Sequence, residues 1–251
     1  MNLIETRRQW MKSAFAERSR EPSDQQKRLP FPDLQKPLPS DQGPMLDLPE
    51  PGPEVVRESD FYRVMEKRQS RRQFTEEALT LPELSFLLYS TAGVKEVSGD
   101  GYVTRRTVPS AGSRHPFETY LAVNRVDGLE LGLYRYLPLS HQLLLLDQPE
   151  DLPGLLTRAA VGQRFVGGSA CVFLWSCIPY RAEWRYKQHS HKNMLLDAGH
   201  ICQNLYLAAE AIGAGTCAIG AYDQEAVDAL LDLDGEDEYV VYLSPVGRIP
   251  S

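Results

Sequence analysis

Apolar positions from residue 59 onward switch between helical and strand-like spacing, and the switches predict the elements. Residues 59–68 put Phe61, Val64 and Met65 on one face of a short helix. Thr80-Leu81-Pro82-Glu83 reads as a helix start, with a threonine cap, proline just inside and glutamate at the third position. That helix runs on through Leu84, Leu87 and Leu88. Residues 118–124 read as a strand. A hairpin follows, with strands at 132–137 and 142–146 and a turn through Pro138, Ser140 and His141. Residues 151–161 predict a helix. The unbroken apolar run 170–178, ended by Pro179, predicts a central strand buried on both faces. The longest predicted helix is 190–212, with Leu195, Gly199, Cys202, Tyr206 and Ala209 at three- and four-residue intervals and Gly213 as terminator. A short strand at 215–219, a helix at 223–233 and a strand at 239–246 complete the pattern. Strands and helices mix without strict alternation, so the class is α+β rather than a doubly wound parallel sheet.

Before residue 59 the pattern fails. Residues 1–20 mix Arg, Lys, Trp, Met and Phe and read as a short amphipathic helix. From about 21 to 55, proline and acidic residues break every period, which excludes helix and inner strand. Nine of the 18 prolines fall within residues 1–60. The expectation is an extended arm over 1–58, disordered or laid over a partner surface, ahead of a domain over 59–251. Some 190 residues can bury roughly 70% of their unfolded surface, so the domain needs no disulfide or metal to fold.

The charge balance is 27 Lys+Arg against 34 Asp+Glu, a net −7. An acidic chain is a poor match for a phosphate backbone, so nucleic-acid binding is not expected. Cys171, Cys177, Cys202 and Cys217 lie in apolar stretches without paired spacing and read as buried residues of a reducing compartment. Arg7-Arg8 resembles an export signal, but charged residues follow where an apolar region is needed. No window approaches 18 apolar residues, so neither export nor a membrane span is expected, and the protein reads as cytoplasmic.

Four segments carry unusual chemistry. In Arg68-Gln69-Ser70-Arg71-Arg72, alternating arginines around a hydroxyl can converge on one phosphate, although a solvated cationic helix end has the same composition. Pro109-Ser110-Ala111-Gly112-Ser113-Arg114-His115-Pro116 is a small-residue loop whose amides can approach a flat or anionic ligand, or an ordinary tight turn. Gly213 and Gly215 follow a helix rather than a strand, so Gly213-Ala214-Gly215 is no dinucleotide fingerprint. His189, His191, His200 and Cys202 invite a metal, but their spacing matches no usual ligand pattern and no metal site is expected.

In order, Arg-x-Ser-x-Arg-x-Phe (68–74), Pro-Ser-Ala-Gly-Ser-Arg-His-Pro (109–116), Leu-Leu-Asp-Ala-Gly-His-Ile-Cys-Gln-Asn-Leu-Tyr-Leu-Ala-Ala (195–209) and Gly-Ala-Gly-Thr (213–216) resemble the FMN-dependent nitroreductase superfamily. The closest resemblance is to its SagB-type (McbC-like) dehydrogenase branch. That resemblance implies an α+β fold with a central, mostly antiparallel sheet surrounded by helices. It also implies an obligate homodimer with FMN at the subunit interfaces. Arg68, Ser70 and Arg72 would hold the FMN phosphate and ribityl chain, and Arg248 would return to the phosphate. Pro109, Ser110, Ala111, Gly112 and Ser113 would approach the isoalloxazine from the other subunit. Ala218, Ile219 and Gly220 would line the ring with backbone amides toward its reducible edge.

The implied activity is hydride transfer through the flavin on a small organic or peptide-derived heterocyclic substrate. Whether NAD(P)H or oxygen serves the other half-reaction is open. Azoline-oxidising members of the branch are expected to carry a Lys-Tyr pair where this chain has Arg185-Tyr186, with Lys187 one place later. Arginine stays protonated and cannot be that base, so either Tyr186 or Lys187 takes the role or the chemistry is not azoline oxidation. The alternative is a non-catalytic FMN-binding scaffold subunit of a peptide-modification complex.

Overall fold

A computed structural model describes residues 2–13, 21–41 and 43–250. Strand β1 is Met45–Asp47 and helix α1, ahead of it, is Leu3–Trp10. Then come α2 (Phe61–Lys67), β2 (Leu79–Thr80), α3 (Leu81–Ala92), β3 (Val94–Ser98), β4 (Val103–Arg106), β5 (Phe117–Val123) and β6 (Val126–Asp127). They are followed by β7 (Gly132–Leu137), β8 (Gln142–Asp147), α4 (Leu152–Ala159), α5 (Arg164–Gly167), β9 (Cys171–Cys177) and α6 (Tyr180–Tyr186). The last are α7 (Ser190–Ala211), β10 (Ala214–Thr216), α8 (Gln224–Leu230) and β11 (Tyr239–Arg248).

Seven strands form one sheet in the order β1-β8-β7-β5-β9-β11-β10, and every pairing within it is antiparallel. The apolar run that predicted a central strand is β9, buried along its whole length between β5 and β11. Because side chains alternate across a strand, β9 feeds two cores. Cys171, Phe173, Trp175 and Cys177 meet α3 and α7 on one face, with Leu84, Leu87, Leu88, Ile201 and Leu205. Val172 and Leu174 meet Leu152, Leu156, Val227 and Leu231 of the α4 and α8 side on the other. The fold is α+β with an antiparallel central sheet covered by helices. Helix α3 begins with the capping box read from sequence: Glu83 N–H donates to Thr80 Oγ1, and Thr80 N–H donates to Glu83 Oε2.

Two expectations change. Helix α2 buries only Val64, while Phe61 and Met65 stay exposed, because the helix touches the molecule along one narrow edge. Leu195 was read with the core face of α7 but is 65% exposed beside exposed Leu196. The proline-rich segment is extended, and its described residues lie on their own chain. Lys36 N–H donates to Glu118 (2.7 Å), and Lys36 Nζ reaches Glu238 at 2.5 Å. Arg106 and Arg135 donate to Leu34 O and Pro37 O. The segment then supplies β1, an edge strand on β8, where proline-flanked backbone is tolerated.

All four cysteines are buried and unpaired. Among the described residues, no helix is long and apolar enough to cross a membrane, and no cluster of His, Cys, Asp and Glu could hold a metal ion.

Candidate functional site

Helix α7 organises two polar junctions. The first centres on Tyr206. After α2 ends, the chain runs beside β10: Ser70 bridges Thr216, and Arg71 N–H donates to Thr216 O at 2.9 Å. This close approach needs Gly215, where a Cβ would come within 2.5 Å of Ile249 and 2.6 Å of Arg71. The Tyr206 hydroxyl accepts the Ala218 N–H (2.8 Å) and bonds Ser70 Oγ (2.9 Å). The Arg68 guanidinium lies 5.3 Å over the Tyr206 ring, a cation–π arrangement. Arg72 is exposed close by in the chain, and neither Arg68 nor Arg72 has a carboxylate ion pair among the described residues.

Of the three residues read as a ring-lining strip, only Gly220 is exposed, and nothing lies within 4 Å of where its Cβ would be. The amides of the other two are committed, Ala218 to Tyr206 and Ile219 to Leu243 O at 2.8 Å, and the Ile219 side chain is in the core. Tyr206 itself was read as an apolar helix position. Nothing in its spacing distinguishes a packed ring from one whose hydroxyl ties two segments together.

The second junction centres on Asp197. Ser110 Oγ donates to its carboxylate at 2.6 Å, and Ala111 N–H lies 3.3 Å from both carboxylate oxygens. Ser110 Oγ in turn accepts the His115 N–H. Burial pushes the Asp197 pKa up, and the bonds from Ser110 and Ala111 pull against it without cancelling it. The loop is locally tight: Gly112, Ser113 and His115 all have positive φ. Burial and the nearby Arg106 press His115 down to about 3, so this imidazole stays neutral. Pro109 is exposed at the loop's start. The Tyr186 hydroxyl and the Arg185 guanidinium sit against Gly112, where a Cβ would overlap the phenol oxygen. The 109–113 loop and Tyr186 are thus together, and Asp197, quoted in the motif without a role, is what holds the loop.

Two expected residues are engaged by the chain itself. The Arg248 guanidinium is buried, one amino group donating two 2.6 Å bonds to Glu83 and the other one bond to Ile212 O, with Nε 3.4 Å from a Glu77 oxygen. Burial raises the Glu83 pKa, but the hydrogen bonds from Arg248 and Thr80 together with the Arg248 charge outweigh it and hold the carboxyl below its ordinary value. Lys187, at the end of α6 with φ +52°, turns its Nζ to Glu21 O and to the Glu21 carboxylate, 3.5 Å away. His191 pairs with Glu183 at 2.8 Å.

Asp197 and Tyr206 are nine residues apart on α7. At 3.6 residues per turn that is about two and a half turns, which sets the two junctions roughly 13 Å apart on opposite sides of the helix. Exposed Leu195 and Gly199 lie on the Tyr206 side of the helix, with exposed Leu196 flanking them.

A central antiparallel sheet, a long buried helix behind it and a cationic segment stitched to a Gly-rich strand define an oxidoreductase of nitroreductase type. The chain belongs to the Nitroreductase family, whose model matches residues 65–248. It is 34% identical over 77% of its length to MJ1384 of Methanocaldococcus jannaschii, which bears a nitroreductase name, and spans 93% of that protein. It is 32% identical over 64% of its length to the trifolitoxin-processing protein TfxB of Rhizobium leguminosarum bv. trifolii, spanning 47% of that protein. Among solved structures, a nitroreductase-named protein of Ralstonia eutropha JMP134 superposes with a TM-score of 0.68. That match has 26% identity and covers 89% of this chain and all of the other.

Proposed function

We propose that this oxidoreductase is an FMN-dependent, SagB-type dehydrogenase that works as a cytoplasmic homodimer, oxidising or reducing a small organic or peptide-derived heterocycle. The carrying observation is the Tyr206 junction, which holds Ser70 and Arg68, with exposed Arg72 two residues further along the chain and no carboxylate ion pair to either arginine from the described residues. Guanidinium forks so arranged match a phosphate. Exposed Gly220, with open space at its Cβ, suits the approach of a flat ring. Bound FMN would supply two-electron hydride chemistry. Arg68, Ser70 and Arg72 would bind its phosphate end, and the 109–113 loop of a second subunit would cover the ring.

The opposed directions of the two α7 junctions support that two-subunit assembly, as do exposed Leu195 and Leu196. The relation to a trifolitoxin-processing protein favours a peptide-derived substrate. Tyr186 is the proton-handling group we assign, since its hydroxyl lies against the loop. Lys187 can join it only after leaving Glu21. NAD(P)H is the electron donor we would try first.

The Lys187–Glu21 contact also favours a second reading, a flavin-binding scaffold without turnover. The test begins with absorbance of the purified protein: flavin bands near one FMN per chain are expected, and colourless protein with no thermal shift on adding FMN rejects both readings. Reduction of the bound flavin by NAD(P)H or by substrate, slowed in Tyr186→Phe with flavin content unchanged, supports the enzyme. A flavin that stays oxidised with every donor favours the scaffold.

A further inference from the structure

Among the described residues, Arg114 and Arg185 stand beside the Gly112 turn without a carboxylate ion pair. Arg185 Nη1 is 3.5 Å from Gly112 O, at the limit of a hydrogen bond, and its guanidinium lies 5.3 Å over the Tyr186 ring. Arg114 is 5% exposed, with its guanidinium 4.8 Å from the Tyr102 ring and 5.5 Å from that of Trp184. One of its amino groups donates to Tyr102 O, while its Nε has no hydrogen-bond partner. Burial lowers the Arg114 pKa, and repulsion from Arg185 adds to that, so the two charges feel each other.

Of the other buried guanidiniums, Arg106 and Arg135 donate to backbone carbonyls, while Arg181 meets a carboxylate, Glu118 at 2.6 Å, and so does Arg248, with Glu83. Among the described residues neither Arg114 nor Arg185 has such a partner. Asp197, across the loop, has both oxygens engaged by Ser110 and Ala111. Charge removed from water without a counter-charge is costly, so an uncompensated pair beside a reactive-site loop is a place for an anion to bind.

We propose that Arg185, with Arg114 behind it, forms the binding site for a substrate carboxylate, so that the preferred substrates carry a carboxylate next to the group that is oxidised or reduced. A single half-exposed guanidinium offers a planar pair of donors, which suits a carboxylate's two oxygens. Arginine at 185 then serves recognition rather than proton transfer. The proposal rests on the reading of the 109–113 loop as part of the reactive site, but its test does not need the flavin.

The probes are 4-nitrobenzoate and its neutral analogue 4-nitrobenzamide, titrated calorimetrically into the purified protein. The wild type is expected to bind the carboxylate about 10-fold or more tightly than the amide. Arg185→Gln should erase that ratio while the amide affinity and flavin content stay as they were, and Arg185→Lys should restore part of it. Equal affinities in the wild type, or a ratio that survives Arg185→Gln, overturn the proposal. So does loss of flavin from Arg185→Gln with the ratio intact, since Arg185 would then serve the cofactor. If the protein carries no flavin but the ratio behaves as expected, the flavin reading falls and the carboxylate site stands.

Discussion

Arg68 and Arg72 differ from Arg181 and Arg248 in what surrounds them, not in what they are. The first two sit at the surface without an ion pair, one over an aromatic ring and the other exposed. The second two are buried against Glu118 and Glu83 and tie α6 to β5 and β11 to α3. A guanidinium already matched by a buried carboxylate gains little from a phosphate, whereas an unmatched one gains by finding an anion. The same residue type therefore builds the fold in one place and, on the reading proposed above, binds a ligand in the other. Arg248, in a suggestive Gly-Arg at a strand end, resembles Arg181 in having a buried carboxylate partner.

The sharpest way to break this division is Glu83→Gln. Glutamine can keep the capping box, so the change isolates the ion pair. Leaving buried Arg248 with only the exposed Glu77 carboxylate costs about 3–5 kcal/mol, a fall in Tm on the order of 10 °C for a chain of this size. Scanning calorimetry should show that fall, and the folded fraction should bind FMN as before. Weakened FMN binding at unchanged Tm would return Arg248 to the phosphate.

The opposite signature is expected of Arg68→Ala and Arg72→Ala. Each should lose about 1.5–3 kcal/mol of FMN affinity, roughly 10- to 100-fold, with the Tm of the flavin-free protein almost unmoved. Fluorescence titration reads the first quantity and melting the second.

The smallest effect concerns a buried carboxylate that has no arginine, Asp197. Its raised pKa means that the folded protein keeps the proton to higher pH than the unfolded chain does. Stability is therefore lost as pH rises from the ordinary carboxylate value through the folded one, and the loss is complete above it. Urea melts from pH 3 to 7 should show the wild type falling relative to Asp197→Asn over that window and running parallel to it at higher pH. A constant difference throughout would mean that Asp197 titrates as it does in the unfolded chain.

Much of the fold was legible because period and punctuation agree: the run at 170–178, the box at Thr80 and the hairpin at 132–146 each carry a local signal. The β3–β4 hairpin and α6 were not legible, since charged and turn-forming residues hide the first and the second is only two turns long. The motifs located Arg68, Ser70 and the 109–113 loop, but they were silent on Tyr206 and Asp197. Those two act through single polar atoms aimed at segments 87 to 136 residues away in sequence, and no spacing rule encodes such an aim.

Strand β1 has a further consequence, for handling and for evolution of the chain. It covers β8, whose sequence Gln-Leu-Leu-Leu-Leu-Asp is the kind of flat, apolar stretch that recruits other chains when left open. A shortened protein starting at residue 59 would expose that seam along its full length and tend toward self-association, which light scattering would register. The proline-rich leader thus doubles as a built-in guard against sticking, its prolines poorly suited to passing the pairing on to the next molecule.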